Sequence, residues 1–227
     1  MSSISLPSID PSVLAIAPGF RALSIVAESS AVADPTTAVS ALDRASAVVR
    51  SRKPQWAEAH LDAWRRVFQR FGAKAQRTPS SAEALRKRFL RDGTLPRVNP
   101  IVDLYNAISL EFAIPVGGEN LAAYVGAPRL VIATGAEVFD TVKDGNRIEE
   151  HPEPGEVVWR DDVGVTCRKW NWRQGVRTRL DPDARRMWFI LESLPEMPID
   201  GLHEAGEALR KGLREMIADV RVESTLI

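Results

Sequence analysis

The stretch LPRVNPIVDLYNAISLEFAIPVGG, running from Leu95 to Gly118, decides how the chain folds. Within it Ile101, Leu104, Tyr105, Ile108 and Phe112 recur at three-to-four spacing, which predicts a helix from Pro100 to about Ala113. Asp103 and Asn106 are three apart and share a neighbouring strip of that helix. After Pro115 the texture changes to short β-like pieces divided by turns, at 129–133, 156–159, 163–167 and 187–191. Gly117-Gly118 reads as a turn between the two textures rather than as a phosphate cradle.

Upstream, the first thirty residues are rich in Ser and Pro and hold one β-like run, 20–27. Asp34-Pro35 reads as an N-cap followed by proline at the first helical position, opening a helix to about Arg50. The clearest helix is 55–71: Trp56, His60, Ala63, Trp64, Val67, Phe68 and Phe71 fall on one face, and Gly72 stops it. An aromatic stripe at this spacing is core, and His60 on it reads as a packed helix histidine rather than a ligand. Ser80-Ser81-Ala82-Glu83 is a capping-box pattern, and Gly93 follows the helix it opens. The chain returns to helix from Gly201 to about Arg221. Helices first, a β-rich half, then a closing helix make an α+β protein.

Composition narrows the chemistry. The 227 residues are 44% hydrophobic and 26% charged with zero formal net charge, which is the balance of an ordinary globular domain. One cysteine allows neither an intramolecular disulfide nor a cysteine zinc cluster, and points to a reducing, cytoplasmic setting. That residue, Cys167, lies in a β-like run and reads as a small packed hydrophobe. His60, His151 and His203 sit in unrelated segments, so no metal and no cofactor are expected. No nucleophile elbow, Walker loop or dinucleotide fingerprint is present, nor any apolar run long enough for a signal peptide or membrane span. The charge is segregated, however. From Arg44 to Arg97 fourteen basic side chains face only Glu58, Asp62, Glu83 and Asp92. The stretch 103–162 is acidic in compensation, and 168–186 turns basic again. Such segregation steers a polyanion toward one face.

Two segments carry a resemblance. Leu95–Gly118 resembles the N-P-V-V-D-x-x-N-x-x-x-L-E-x-x-x-P stretch of the B3/B4 editing domain in the phenylalanyl-tRNA synthetase β-subunit. Val165-Thr-Cys-Arg-Lys-Trp-Asn-Trp-Arg173, with Gly155-Glu156-Val157-Val158 before it and Leu191-Glu192 after it, is similar to free-standing bacterial proteins built on that domain. The similarity runs from about Trp64 to Leu194 and includes the arginine-rich segments 64–72 and 81–88. It implies a B3/B4-like mixed α+β domain over 64–200, its basic helices at 64–93 packed on it. An N-terminal strand and helical extension (1–63) would precede it, and a C-terminal helix (201–227) would follow.

The resemblance further implies binding of the aminoacylated acceptor end of tRNA and hydrolysis of a mischarged aminoacyl ester. Asn106 matches an asparagine lining the editing pocket, and Glu192 matches a glutamate that contacts the amino-acid side chain. Gly117 falls where the synthetase has a histidine, and Asn120 replaces an aspartate. Backbone N–H groups near Gly117 and Gly118 could then stabilise an oxyanion. Arg65, Arg66, Lys74, Arg77, Arg86 and Arg88 are expected to meet phosphates. Arg168, Lys169 and Arg173 interleave with Trp170 and Trp172, as where phosphate contact and base stacking meet; inward-packed tryptophans are the alternative. A non-catalytic binder of tRNA or of a free amino acid fits the same residues, and so does a partner-binding module using the tryptophans. No adenylating core accompanies these segments, so a complete synthetase is excluded.

Overall fold

In a computed structural model, which describes residues 6–29, 34–51 and 53–227, the chain forms two sheets with helices on one side of the smaller. Arg52 of the basic stretch lies outside the described residues. The chain begins with β1 (Ser8–Ile9), the short helix α1 (Pro11–Ile16), capped by Asp10, and β2 (Arg21–Glu28). Four helices follow: α2 (Pro35–Arg50), α3 (Ala57–Arg70), α4 (Ser81–Asp92) and α5 (Pro100–Phe112). Then come β3 (Val116–Asn120), β4 (Arg129–Ile132), β5 (Phe139–Lys143) and β6 (Asn146–Glu150). Next are β7 (Val157–Arg160), β8 (Val165–Arg168), β9 (Arg173–Gln174) and β10 (Arg186–Ser193). Helix α6 (Ile199–Met216) and strand β11 (Arg221–Leu226) close the fold.

The caps at Asp34 and Gly93 form as read, but the capping box at Ser80–Glu83 is only half made, because the Glu83 carboxylate goes to Arg65 and Lys87. Asp34, Ser80 and Asn99 each accept a hydrogen bond from a backbone N–H of the first turn, at Thr36, Glu83 and Val102. Gly93 ends α4 in the left-handed conformation.

The smaller sheet is antiparallel in the order β11-β2-β10-β3. Alternation along β10 gives it two different faces. Met187, Phe189 and Leu191 point toward α2, α5 and α6, where Leu104, Ile108, Leu202 and Leu209 complete one core. Trp188 and Ile190 point the other way, into a second core with Trp64, Phe68, Trp159 and Trp170. There α3 and the larger sheet close over them. That sheet runs β1-β4-β7-β8-β5-β6, with β9 added on β8.

The α+β architecture matches the sequence expectation; two local readings do not, and one hairpin was not foreseen. Gly117-Gly118 is not a turn but the middle of strand β3, its register fixed by Ile190 and Phe189 opposite. The closing helix stops at Met216 instead of about Arg221, and 221–226 pair with β2 as a strand. The hairpin β5–β6, turning on Asp144-Gly145, had no predicted counterpart. Residues 1–63 also supply β2, which sits between β10 and β11 inside the sheet.

Candidate functional site: a tryptophan-walled cavity

A cavity of about 260 Å³ lies against the Trp188–Ile190 face of the small sheet, beside its edge strand β3. Tyr105 and Asn106 reach it from α5, Ser81 and Leu85 from α4, and Trp159 and Cys167 from β7 and β8. In the β3–β10 register Gly117 stands opposite Ile190 and Glu119 opposite Trp188. Opposed residues of an antiparallel pair share a face, so Gly117 and Glu119 turn to the cavity with Trp188, Ile190 and Glu192. The missing side chain at Gly117 leaves open space: a Cβ there would meet only Ile190, at 3.2 Å. At Gly118 the reason for glycine is packing, because a Cβ would lie 2.7 Å from the Tyr105 ring.

Glu192 is 1% exposed and holds three donors. Its Oε1 accepts from the indole N–H of Trp159 at 2.8 Å and of Trp170 at 3.1 Å; its Oε2 accepts from Asn171 Nδ2 at 2.9 Å. The loop that delivers Trp170 and Asn171 is unusual. Lys169 and Trp170 both have positive φ, 46° and 65°, a conformation that side chains other than glycine adopt at a cost of order 1–3 kcal/mol each. Buried Glu156 over-determines it, accepting from Arg168 Nε at 3.0 Å and Nη2 at 2.8 Å and from the Lys169 N–H at 2.9 Å.

Burial pushes Glu192 up to about 7, against the pull of its three donors, and pushes Glu119 up to about 7 as well. Glu119 accepts the hydroxyl of Tyr124. Burial also raises the Cys167 thiol well above its usual value, so it stays protonated at neutral pH. His60 lies behind the cavity as a structural tie. Its Nδ1 donates to the Ala113 carbonyl at 2.9 Å, while Nε2 accepts from Trp64 and from the Leu194 N–H. Burial lowers its pKa to about 4, so the ring is neutral.

Asn106, Gly117, Gly118 and Glu192, singled out in the sequence, thus line one cavity. Asn106 makes no hydrogen bond of its side chain among the described residues. Asn120 faces elsewhere, its carboxamide capping the turn at Ala122. Sequence reading missed Glu119, Trp159 and Asn171. The alternation Gly117-x-Glu119 would have exposed the first, had the segment been read as a strand.

The basic residues divide. Arg65, Lys74 and Arg77 line a polar groove of about 610 Å³ together with Lys87, and Glu83 is part of its wall. Arg65 pairs with Asp62 and Glu83, while Lys74 and Arg77 are exposed and form no ion pair among the described residues. Arg66 pairs with Glu196 at 2.8 Å and Arg88 with Asp92 at 3.9 Å, both at the surface. Arg86 and Arg168 depart from the expected phosphate contacts: both are 8% exposed, held by Glu58 and by Glu156 with Glu150. Trp170 is fully buried against Trp64 and Phe20, so it packs inward rather than stacking on a base. Trp172 borders the cavity, with Lys169 Nζ 4.8 Å and the Arg173 guanidinium 5.9 Å from its ring centre. No helix is long and apolar enough to cross a membrane, and no group of three or more potential metal ligands occurs among the described residues.

A small antiparallel sheet, helices on one face and a second sheet folded over the other around a tryptophan-walled cavity, defines a pocket-bearing α+β domain. Residues 63–205, more than half of the chain, match the family model described as B3/4 domain, and the chain belongs to that family. An N-terminal fragment of the phenylalanyl-tRNA synthetase β-subunit from Pyrococcus horikoshii shares the fold, with a TM-score of 0.52 and 8% identity over 97% of this chain. The chain spans half the length of that fragment, 50%. No curated protein matches it.

Proposed function

We propose that the chain binds the aminoacylated acceptor end of tRNA and hydrolyses a wrongly attached amino acid from it in trans. The observation that carries this reading is the meeting of Asn106, Gly117, Gly118 and Glu192 on one cavity. The volume of about 260 Å³ suits an amino-acid side chain. Gly117 gives the ester room to approach the edge strand, and backbone N–H groups near Gly117 and Gly118 are the donors proposed for the developing oxyanion. The free carboxamide of Asn106 offers a donor and an acceptor to the ester. Glu192 fixes the tryptophan wall against which the amino-acid side chain is read. An aminoacyl ester is already activated, so holding it beside one water and the neighbouring ribose hydroxyl supplies the rate without a strong base. The exposed cations Lys74 and Arg77 in the adjoining groove would take phosphates.

The test is a panel of mischarged tRNAs followed by loss of the ester. One or a few should be deacylated, and Asn106→Ala should slow that step about ten- to a hundredfold, equivalent to roughly 1–3 kcal/mol, leaving tRNA affinity unchanged. A second reading, a non-catalytic binder, is favoured by Gly117 standing where the resembling synthetase has histidine. Binding across the panel with no ester loss would establish it instead.

A further inference from the structure

Seven carboxylates are buried in the described chain: Glu83, Asp103, Glu119, Glu137, Glu156, Asp161 and Glu192. Five have a cationic side chain within ion-pair distance. Arg65 and Lys87 flank Glu83, Arg97 meets Asp103, Arg160 meets Glu137, Arg168 meets Glu156, and Arg177 meets Asp161. Glu119 and Glu192 have none, and both line the same cavity. A buried carboxylate without a counter-charge is costly, and proteins almost always pair one. This fold follows that rule everywhere except at the cavity.

The walls agree. Trp159, Trp170, Trp172, Trp188 and Tyr105 line the space and no Lys or Arg does; the nearest cations, Lys169 and Arg173, sit over the Trp172 ring. Aromatic rings joined to carboxylates recognise an organic ammonium, by cation–π attraction and charge together. The two acids are held differently. Glu192 accepts three hydrogen bonds, from two indole N–H groups of the wall and the Asn171 carboxamide. Glu119 is held by the Tyr124 hydroxyl and by hydrogen bonds from Gln174, Thr178 and Thr166, and it shares the cavity face of β3 with Gly117.

We infer that the cavity is a site for a primary ammonium group, with Glu119 its direct partner and Glu192 the second charge behind the tryptophan wall. This deepens the aminoacyl reading, since every aminoacyl ester carries a free α-ammonium. It requires neither tRNA nor hydrolysis. The same chemistry could be supplied by a cationic side chain. A ligand ammonium would also draw both carboxylates back to their ionised forms, releasing protons near neutral pH.

The experiment uses the whole protein and small probes, followed by titration calorimetry and tryptophan fluorescence. Phenethylamine should bind at least about tenfold more tightly than uncharged 2-phenylethanol, and Glu119→Gln should erase that preference. Phenylalaninamide against Nα-acetyl-lysinamide separates the sources: tighter binding of the first assigns the α-ammonium, and of the second a side-chain cation. Either supports the site provided it depends on Glu119. Calorimetry of wild-type protein with phenethylamine in two buffers of different ionisation enthalpy should register proton release, which keeps the test decisive if Glu119→Gln misfolds. Equal binding of charged and neutral probes overturns the inference, as does binding indifferent to Glu119→Gln, absence of proton release, or no probe binding at all. Deacylation of tRNA by a protein that fails these tests would leave the catalytic reading standing and remove only this one.

Discussion

Three buried side chains make stability depend on pH in opposing directions. Glu119 and Glu192 have folded pKa values of about 7 against 4.5 in the free state. Between those limits the folded protein keeps protons that the unfolded chain has released, so stability is lost as pH rises through the window. His60, lowered from 6.5 to about 4, works the other way: its contribution is lost as pH falls through that interval. Each shift corresponds to about 3 kcal/mol at full extent, so the two carboxylates outweigh the one imidazole. The thermal midpoint should therefore fall between about pH 5 and pH 7, and Glu192→Gln should remove a large part of that fall. A midpoint that climbs steadily over the range would mean that both acids are ionised in the fold. Residue identity was partly legible beforehand. Asn106 and Glu192 could be placed by resemblance to a known pocket, and His60 by its position on an aromatic helix face. Glu119 could not, because its meaning depends on which way a strand faces.

At the level of elements, helices were legible and strands less so, for a physical reason. Helix ends carry local chemistry, and Asp34 with Pro35, Ser80 with Glu83, and Gly93 each satisfied a nearby backbone group. Strand β3 has no such local signal. Gly117 and Gly118 have poor strand propensity and are held extended by Ile190 and Phe189, which lie far along the sequence on β10. Strand β11 likewise exists because β2 offers it an edge. The two glycines of β3 should separate experimentally. Gly118→Ala places a methyl 2.7 Å from the Tyr105 ring and 3.0 Å from Leu180, and should cost about 1–3 kcal/mol in urea unfolding. Gly117→Ala meets only Ile190, so it should leave stability within about 1 kcal/mol while reducing the space available to a ligand. Equal destabilisation at both positions would show that strand propensity, not the neighbours, decides.

Over the whole molecule, zero net charge conceals a basic groove adjoining an acidic cavity, with α4 contributing to both: Ser81 and Leu85 to the cavity, Glu83 and Lys87 to the groove. Lys74→Glu with Arg77→Glu should weaken tRNA binding and reduce the slope of log affinity against log salt by about one for each phosphate no longer neutralised. An unchanged slope would make the groove an ordinary solvated face. Arg86→Glu is a poor substitute, since it sets a second carboxylate beside Glu58 at a buried position and should act on folding instead. The sheet that carries the site also has a temporal side. Strand β2 is made long before both its partners, β10 and β11, which lie beyond residue 185. During synthesis this apolar strand must wait with both edges open for most of the chain. The cavity, which takes Trp188, Ile190 and Glu192 from β10, therefore closes late, whereas every residue of the groove is already made: a nascent chain stalled before residue 186 would hold the groove's residues and an unsatisfied strand, but no pocket beside them.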